Sequence, residues 1–232
     1  MKIVCVYVYP MGLSPQFQEY ADLFVTTYCA NPPLRDHQMI VVSNGGQPDV
    51  RAIEQFSHIG GTMFLKHNNI GQDIGAFQMV AAKVPCDLMV FFGSSSYFRR
   101  PGWLRRMVSA YQCYGDGLYG CTGNQGDMRM TSAGAQRVWP HVRTTGFWCS
   151  PTLINHHPFR VTDNSQRYEY EHGEKGLTSW LSSKGIPSYI VGWDCVKPLH
   201  ECDSMPGTFH NGTQHNLLVG DRLCAPPYYP HP

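Results

Sequence analysis

The fold is decided by the stretch from His67 to Leu104, HNNIGQDIGAFQMVAAKVPCDLMVFFGSSSYFRRPGWL. Its centre, IGAFQMVAAKV, has the apolar spacing of an amphipathic helix. The run DLMVFF that follows is apolar at successive positions, which is typical of a strand buried on both faces. A helix that leads into such a strand predicts a parallel sheet with helices packed against it.

The same alternation extends to both sides of this stretch. Upstream, the sequence predicts the strands KIVCVYVY, QMIVVSN and GTMFLKHN, with the helices SPQFQEYADLFVTTYCAN and DVRAIEQF between them. Ser14 is the expected N-cap of the first of these helices, Pro15 takes its first position, and Asp49 is the expected N-cap of the second. Downstream, PGWLRRMVSAYQCYG is a predicted helix and GLYGCTGN a predicted strand. We therefore expect an α/β, Rossmann-like fold with a mostly parallel central sheet flanked by helices.

The alternation breaks after Asn124. A strand is expected around TTGFWCS, then the helix EKGLTSWLSSKG and the strand IPSYIVGWD. Loops dominate from Cys195 onward, ending in the proline-rich APPYYPHP. Because no stretch has the composition of a linker, we expect one domain over residues 1–232 with a loop-rich C-terminal third.

Composition excludes several kinds of partner. Charged residues make up 15% of the chain and the formal net charge is +1, so no global field attracts nucleic acid or an anionic membrane. No run reaches the roughly 18 apolar residues that a membrane span needs. The nine cysteines include no CxxC pair, and their wide spacing disfavours zinc sites and disulfides. We therefore expect a cytoplasmic protein with reduced thiols.

Polar loops follow several of the predicted strands. Ligands of open parallel sheets bind beyond the carboxyl ends of the strands, so these loops are the expected binding site. Turn chemistry alone explains any single one of them, but their convergence indicates a site. The chain has neither GxGxxG after its first strand nor GxxxxGK[ST], which argues against a dinucleotide fingerprint and a P-loop. The loops run over Tyr9–Gly12, Ser43–Gly46, His67–Asp73 and Gly93–Ser96.

The string NIGQDIGAF from Asn69 to Phe77, with the helix, apolar strand and Pro-Gly-Trp helix that follow, resembles nucleotide-sugar glycosyltransferases of the GT-A fold. It is most similar to the subgroup allied to the rhamnan-synthesis and other polysaccharide-building transferases. TTGFWCSPTLI resembles the acceptor-side strand of that family, and RYEYEHGEKGLTSWLSSKGIPSYIVG resembles its acid-bearing segment. The resemblance covers most of residues 1–195. It implies a nucleotide-binding half over 1–124 and an acceptor-side half over 125–232.

The resemblance assigns roles on the nucleotide side. Tyr9 is expected to border the base, and Asp73 to accept hydrogen bonds from the base or ribose of UDP or another nucleoside diphosphate. The alternative for Asp73 is a charge that favours the helix dipole. Asn69 and Gly71 are expected to shape the turn that holds the nucleotide, although turn chemistry alone explains them equally well. Asn44, in the loop after the second strand, completes this set.

At the diphosphate end the chain departs from the family pattern. GT-A enzymes usually end the fourth strand with an Asp-x-Asp motif for a divalent cation, whereas this chain has Ser94, Ser95 and Ser96. Hydroxyls are poor ligands for Mg²⁺ or Mn²⁺, so no metal site is predicted and a cation is disfavoured. The serines are expected to contact the sugar diphosphate. Arg99, with Arg100 beside it, is expected to stabilise the charge of the leaving group.

One histidine is a candidate metal ligand. His210 occupies the place where many family members supply a C-terminal histidine to the metal or diphosphate. Its spacing from His215 is weak evidence by itself, and a loop histidine without a role is the alternative. If a cation is required, His210 with Asp203 is the expected ligand pair.

A general base must take the proton of the acceptor hydroxyl if the reaction inverts at the anomeric carbon. Glu171, in YEYEHGEKG, is the expected base, because the resemblance places the family's acidic segment there, before the late helix. Glu169, Glu174 and Asp194 are its rivals. A solvated loop acid explains Glu169 equally well, and a helix N-terminal charge explains Glu174.

These residues together predict a glycosyltransferase that moves a sugar from a nucleotide-sugar donor to a hydroxyl of a glycan or related acceptor. One alternative is a non-catalytic nucleotide-sugar-binding module that lost its Asp-x-Asp motif. Another is a transferase acting on a modified nucleic-acid base, which the cluster RRPGWLRR suggests. The near-neutral net charge counts against a nucleic-acid partner.

Overall fold

The computed structural model describes residues 1–131, 134–208 and 213–224, with the backbone alone at 129–131 and 134–136. Within these residues, eight strands form the central sheet and six more form three small two-stranded sheets. In chain order the strands are β1 (Ile3–Pro10), β2 (Gln38–Asn44), β3 (Met63–His67), β4 (Leu88–Phe92), β5 (Tyr97–Phe98), β6 (Leu118–Gly120), β7 (Gly123–Asn124), β8 (Asp127–Thr131), β9 (Gly134–Val138), β10 (His141–Val142), β11 (Gly146–Cys149), β12 (Ser188–Val191), β13 (Val196–Pro198) and β14 (Val219–Gly220).

Helices lie on both faces of this sheet. They are α1 (Pro15–Ala30), α2 (Val50–Phe56), α3 (Gln72–Lys83), α4 (Trp103–Tyr114), α5 (Pro151–His156), α6 (Arg167–His172) and α7 (Leu177–Ser183), with a 3₁₀ helix at Leu199–Ser204. Every helix that the sequence predicts is present. Within the described residues, none is both long and apolar enough to cross a membrane.

The central sheet has the strand order β13-β12-β6-β11-β4-β1-β2-β3. β1 pairs in parallel with β2 and β4, β2 with β3, and β6 with β12. β11 runs antiparallel between β4 and β6, and β13 is an antiparallel edge strand. The prediction of a mostly parallel sheet is therefore confirmed, and strands from residues 1–124 and 125–232 share it.

Each face of the sheet carries its own apolar core. In β1, Tyr7 packs with Phe24 of α1 and Trp103 of α4 on one face. Its neighbour Val6 packs with Phe77 of α3 on the other. Successive side chains of a strand point to opposite faces, so a central strand must be apolar at every position. This explains the unbroken apolar runs of β1 and β4.

The helix starts follow the capping chemistry that the sequence predicts. The hydroxyl of Ser14 accepts a hydrogen bond from the backbone N–H of Gln16 at 3.3 Å, and Pro15 begins α1. Asp49 accepts from the N–H of Ala52 at 2.7 Å and begins α2. Both side chains satisfy donors that the first helical turn leaves without a partner.

The segment after Asn124 contains elements that no sequence pattern indicated. β8 and β9 form an antiparallel hairpin, β10 pairs with β7, and α5 follows β11. α6 is a helix of six residues, Arg167–His172, so Glu171 lies inside a helix rather than in a loop before one. Propensity is a weak guide for elements this short, because tertiary packing stabilises them.

Candidate active site

A cleft lies at the carboxyl ends of β1, β2 and β4, where Pro10, Asn44 and Gly93 line it. It consists of a larger cavity of about 970 Å³ and an adjoining smaller cavity of about 430 Å³. The smaller cavity is the one at the strand ends, and the larger one opens toward β7 and the start of β8. The residues lining both cavities are Asp73, Arg143, Thr144, Arg167, Glu171, Arg222 and Leu223.

Glu171 is held in a fixed position in this cleft. Its Oε1 accepts hydrogen bonds from the backbone N–H of Thr144 at 3.1 Å and from the Thr144 hydroxyl at 2.8 Å. Thr144 lies between β10 and β11, so the central sheet and its neighbour position the carboxylate. Because both bonds end on Oε1, the other oxygen, Oε2, is the one that can take a proton from a bound molecule.

The three rival acids lie elsewhere. The Oε1 of Glu169 accepts from the backbone N–H of Lys175 at 2.8 Å, and Glu169 lines a neighbouring cavity rather than the cleft. Glu174 is exposed beside it, and Asp194 is exposed after β12. Of the four acids considered from the sequence, Glu171 is therefore the one that lines the cleft.

Asp73 lies in the first turn of α3 and lines both cavities. Its Oδ1 accepts from the N–H of Ile74 at 3.1 Å. Burial, and next the nearby carboxylate of Glu171, raise the pKa of Asp73 to about 6, while the Arg167 guanidinium acts in the opposite direction. A carboxyl group with such a pKa gains or loses its proton close to neutral pH, as site residues often do.

The raised pKa of Asp73 makes stability depend on pH. The folded protein keeps this proton up to about pH 6, whereas the unfolded chain loses it near pH 4. The contribution of this group to the free energy of unfolding is therefore full below about pH 4 and is lost as pH rises through about 6. As pH rises from about 4 to about 6, we expect the free energy of unfolding of Asp73→Asn to increase relative to that of the wild type by on the order of 2 kcal/mol. Urea unfolding at a series of pH values measures this, and parallel curves for the two proteins would contradict it.

Asn44, Asn69 and His67 form one hydrogen-bonded group at the ends of β2 and β3. The Asn44 side-chain amide donates to the Asn69 Oδ1 at 2.8 Å, and His67 Nδ1 lies 2.7 Å from the Asn44 Oδ1. Burial lowers the pKa of His67, which favours its neutral ring. Asn44 is 1% exposed, and both asparagines line the smaller cavity. They shape the wall of the cleft by joining two loops.

The turn before α3 requires glycine at position 71. Gly71 has a φ of +73°, and Asn69 has a φ of +66°, both in the left-handed region. The Gly71 N–H donates to the Asn164 Oδ1 at 2.8 Å. A Cβ on Gly71 would lie 2.4 Å from the Cγ1 of Val161, so a side chain has no room there.

Gly71→Ala is therefore expected to destabilise the fold through two effects, the positive φ and the overlap with Val161. The positive φ alone costs about 1–2 kcal/mol. Gly61→Ala is the matched control, because Gly61 has a φ of +72° and open space around its Cβ position. We expect Gly71→Ala to lower the free energy of unfolding by more than Gly61→Ala in denaturant titrations. Equal losses would mean that Val161 moves aside without cost.

The serines of the loop after β4, Ser94 to Ser96, fall into two groups. Ser94 and Ser95 line the smaller cavity, and their contact with a sugar diphosphate stays a prediction. Ser96 is fully buried, and its hydroxyl donates to the backbone oxygen of Thr145 at 2.7 Å. Ser96 therefore joins the loop to the residue that precedes β11 and does not line the cleft.

Tyr9 lies in the core rather than beside a nucleotide site. It is 5% exposed, its ring centroid is 6.2 Å from that of Phe56, and its hydroxyl donates to the Gln18 side chain. The residue is the seventh of β1, and the alternation of the strand turns it toward α1 and α2. The cleft wall at the end of β1 is formed instead by Pro10 and Val8.

Arg99 and Arg100 also lie outside the cleft. The Arg99 guanidinium donates to the Gln214 Oε1 at 3.1 Å. Arg100 donates to the backbone oxygen of His215 at 2.8 Å and lies over the ring of Trp193. The physical reason is β5, which follows the serines at once and pairs with β14. This pairing carries the chain away from the strand ends before the arginines are reached.

Three other arginines line the cleft, and no sequence motif marks them. Arg143 follows β10, Arg167 begins α6, and Arg222 follows β14. Arg167 precedes Glu171 by four positions, and this spacing on a helix is the one signal that was visible in the sequence. Arg143 and Arg222 reach the cleft only through long-range strand pairing, which no local pattern reveals.

The residues after β4 do not fit a divalent cation. Ser94 and Ser95 stand where carboxylates would be needed. Asp221 is nearby, but its carboxylate accepts from the Thr145 hydroxyl at 3.1 Å and from the Leu223 N–H at 2.8 Å. Across residues 1–131, 134–208 and 213–224, no three His, Cys, Asp or Glu side chains cluster as metal ligands. Asp203 lines the larger cavity, and His210 lies outside the described residues.

Comparisons with known proteins agree with this architecture. No family model matches the chain, and no curated protein matches its sequence. Apo mouse xyloside xylosyltransferase 1 is similar in structure, with a TM-score of 0.54, 6% identity, and coverage of 82% of this chain and 85% of that one. S. aureus TarS 1-349 has a TM-score of 0.50 at 10% identity, covering 77% of this chain and 54% of that chain. A putative glucose-1-phosphate thymidylyltransferase from Bacillus anthracis, in complex with a sucrose, has a TM-score of 0.50 at 11% identity, covering 79% of this chain and 84% of that chain.

These likenesses concern the fold, since all three identities are low. Two of the three similar structures are, by name, transferases of a sugar or of a nucleotide. The chain spans about half of the TarS fragment. The predicted GT-A-like, Rossmann-like architecture is confirmed. Likeness to the rhamnan-synthesis subgroup stays a prediction.

Proposed function

We propose that the protein is a glycosyltransferase that moves a sugar from a nucleotide-sugar donor to a hydroxyl of a glycan acceptor. The observation that carries this proposal is Glu171, held by Thr144 in a cleft at the strand ends that arginine side chains also line. A fixed carboxylate and cationic groups at one site match the two needs of the reaction. These needs are a base for the acceptor and stabilisation of the leaving diphosphate.

The smaller cavity is the proposed donor site. Its volume of about 430 Å³ lies in the range of small-molecule pockets. Asn69, Ser94 and Ser95 offer amide and hydroxyl groups there, and Asp73 stands at the border with the larger cavity. Asp73 accepts hydrogen bonds from ribose or sugar hydroxyls, for which a carboxylate is a directional acceptor. UDP is the first nucleotide to test, and the other nucleoside diphosphates follow.

Arg143, Arg167 and Arg222 are the proposed partners of the diphosphate. Guanidinium groups bind phosphate oxygens in pairs of hydrogen bonds and keep their charge at all relevant pH values. Negative charge grows on the diphosphate as its bond to the anomeric carbon breaks. Cationic groups already in place stabilise that charge without rearrangement.

Glu171 is the proposed general base of an inverting transfer. The acceptor oxygen attacks the anomeric carbon, the bond from that carbon to the diphosphate breaks, and the acceptor proton passes to the Glu171 Oε2. Thr144 keeps the carboxylate in place through both hydrogen bonds on Oε1. The acceptor then lies in the larger cavity, on the side of Glu171 away from the smaller one.

Release of nucleoside diphosphate tests the proposal. The purified protein is incubated with a panel of nucleotide sugars, with and without glycan acceptors, and the free nucleotide is measured. We expect release from at least one donor, faster with an acceptor present, and slow release with Glu171→Gln. Binding of donors without release from any of them would indicate the non-catalytic module. Transfer only to a modified nucleic-acid base would favour the other alternative.

We expect the activity to be largely insensitive to EDTA, because Ser94 and Ser95 replace the carboxylates that a divalent cation needs. Donor turnover before and after chelation measures this, and addition of Mn²⁺ or Mg²⁺ to the chelated protein is the control. If chelation abolishes turnover and Mn²⁺ restores it, the argument from the serines fails. Asp203 and His210 then become the ligands to substitute.

A further inference from the structure

The larger cavity continues into two more cavities around the base of the β8–β9 hairpin. A side cavity of about 590 Å³ shares Tyr168 and His172 with the larger cavity. A distal cavity of about 750 Å³ shares Arg137 and Trp139 with the side cavity, and Gln125 with the larger one. Because bordering cavities share these side chains, they form one groove that begins at Glu171 and leads away from it.

Two aromatic rings mark the borders between these cavities, and each has an arginine against it. The Arg167 guanidinium lies 4.4 Å from the ring centroid of Tyr168, and the Arg137 guanidinium lies 4.1 Å from that of Trp139. Tyr168 is 47% exposed, which is high for a ring of its size. Such cation–π contacts hold a ring in one orientation. Fixed, accessible rings are flat apolar surfaces on which the C–H faces of a sugar can stack.

His172 adds an independent sign of a ligand at the first border. It is 8% exposed, lines both the larger and the side cavity, and its Nε2 is buried without a hydrogen-bond partner among the described residues. A buried polar atom left unpaired costs about 1–3 kcal/mol, so native structures rarely keep one without a reason. A small shift of the α6 end on binding would bring a ligand hydroxyl to this nitrogen.

Charge and composition indicate what chain the groove fits. In the side cavity, Arg137 and Lys175 are balanced by Glu169 and Glu174, so a polyanion gains little there. The distal cavity combines apolar with hydroxyl-bearing groups, and this mixture suits the alternating C–H and O–H surface of a neutral sugar. Its apolar lining includes Pro140, Pro187 and Leu199, and its hydroxyl-bearing lining includes Thr178, Ser182 and Ser188.

We propose that this groove binds an extended, neutral saccharide chain, with Tyr168 and Trp139 as stacking surfaces for successive units. The inference rests on the proposed function, because the groove is the continuation of the acceptor side of the cleft. It goes beyond that function in naming the acceptor as a polymer and in assigning subsites remote from the reacting hydroxyl.

Oligosaccharide binding in the absence of donor tests the groove separately from catalysis. Probes are the malto-, cello- and chito-oligosaccharide series and rhamnose oligomers, each from dimer to octamer, titrated by calorimetry. We expect at least one series to bind with an affinity that rises by about tenfold or more from dimer to octamer. Tyr168→Ala and Trp139→Ala should each remove most of that rise. Tyr114→Ala is the matched control, since Tyr114 is 46% exposed and lies outside the three cavities.

The two proposals fail in different ways. No nucleotide release from any donor would contradict the glycosyltransferase, whatever the oligosaccharides do. Affinity that is independent of chain length, or equal losses in Tyr114→Ala and Tyr168→Ala, would overturn the groove while donor turnover persists. The groove is also overturned if no series binds, or if single-stranded oligonucleotides bind with the length dependence expected of the sugars.

Discussion

Glu171→Gln is expected to lower turnover by about 10²–10⁴ while the affinity for the donor stays nearly unchanged. The amide keeps the size of the side chain, and its oxygen still accepts from Thr144, so the fold and the cleft are retained. What is lost is the ability to take the acceptor proton. Steady-state kinetics with acceptor, together with donor binding by calorimetry, separates the two quantities.

Glu169→Gln is the matched control for this experiment. The carboxylate of Glu169 is on the same short helix, but it accepts from the N–H of Lys175 and does not line the cleft. We expect its turnover to stay within a few-fold of the wild type. The assignment of the base is wrong if Glu169→Gln, Glu174→Gln or Asp194→Asn loses activity while Glu171→Gln keeps it. No loss in any of the four would favour a retaining mechanism or a binding module.

Arg222→Met is expected to lower turnover by about 10², with a smaller loss of donor affinity. One preorganised donor to a developing anion contributes about 10²–10³ to turnover, and the lower end suits a side chain on an exposed loop. The long apolar side chain of methionine keeps the stem of Arg222 but removes its charge. Kinetics over a range of donor concentrations distinguishes the effect on turnover from the effect on binding.

Arg99→Met tests whether Arg99 stabilises the leaving group, as the sequence predicts, or acts outside the cleft, where the structure places it. The Arg99 guanidinium is engaged with Gln214, outside the cleft, so the substitution should affect stability more than turnover. Arg105→Met, on the exposed side of α4, controls for the loss of a positive charge as such. A larger loss of turnover in Arg99→Met than in Arg222→Met would return the leaving-group role to the loop after β4.

The architecture was predictable because its signals are local. The apolar runs of β1 and β4 indicate strands that are buried on both faces. Ser14 and Asp49 indicate where helices begin, because their capping hydrogen bonds join near neighbours in the chain. Asp73 could be placed in the cleft because a residue at the start of α3 follows directly from the strand order. These inferences need only the backbone geometry of successive elements.

The rest of the site depends on contacts that the sequence does not display. Arg143 and Arg222 come together through the antiparallel pairing of β11 with β4 and of β14 with β5. Tyr9 was misplaced because residues at the end of a strand alternate between the core and the cleft, and one position decides which. The resemblance alone points to Glu171, and its contact with Thr144 exists only in the folded chain.

Binding of nucleoside diphosphates to the cleft is the measurement that tests the central claim most directly. Calorimetric titration of wild type with UDP, GDP, CDP, TDP and ADP, confirmed by thermal shift, requires neither the acceptor nor the sugar to be known. We predict that one of them binds, and that at 100 times its Kd it raises the free energy of unfolding by about 2.7 kcal/mol. Arg222→Met and Asp73→Asn should weaken that binding, and Arg105→Met should leave it unchanged. Binding of none of the five, or equal binding by all four proteins, would contradict the assignment of this cleft as a nucleotide-sugar site.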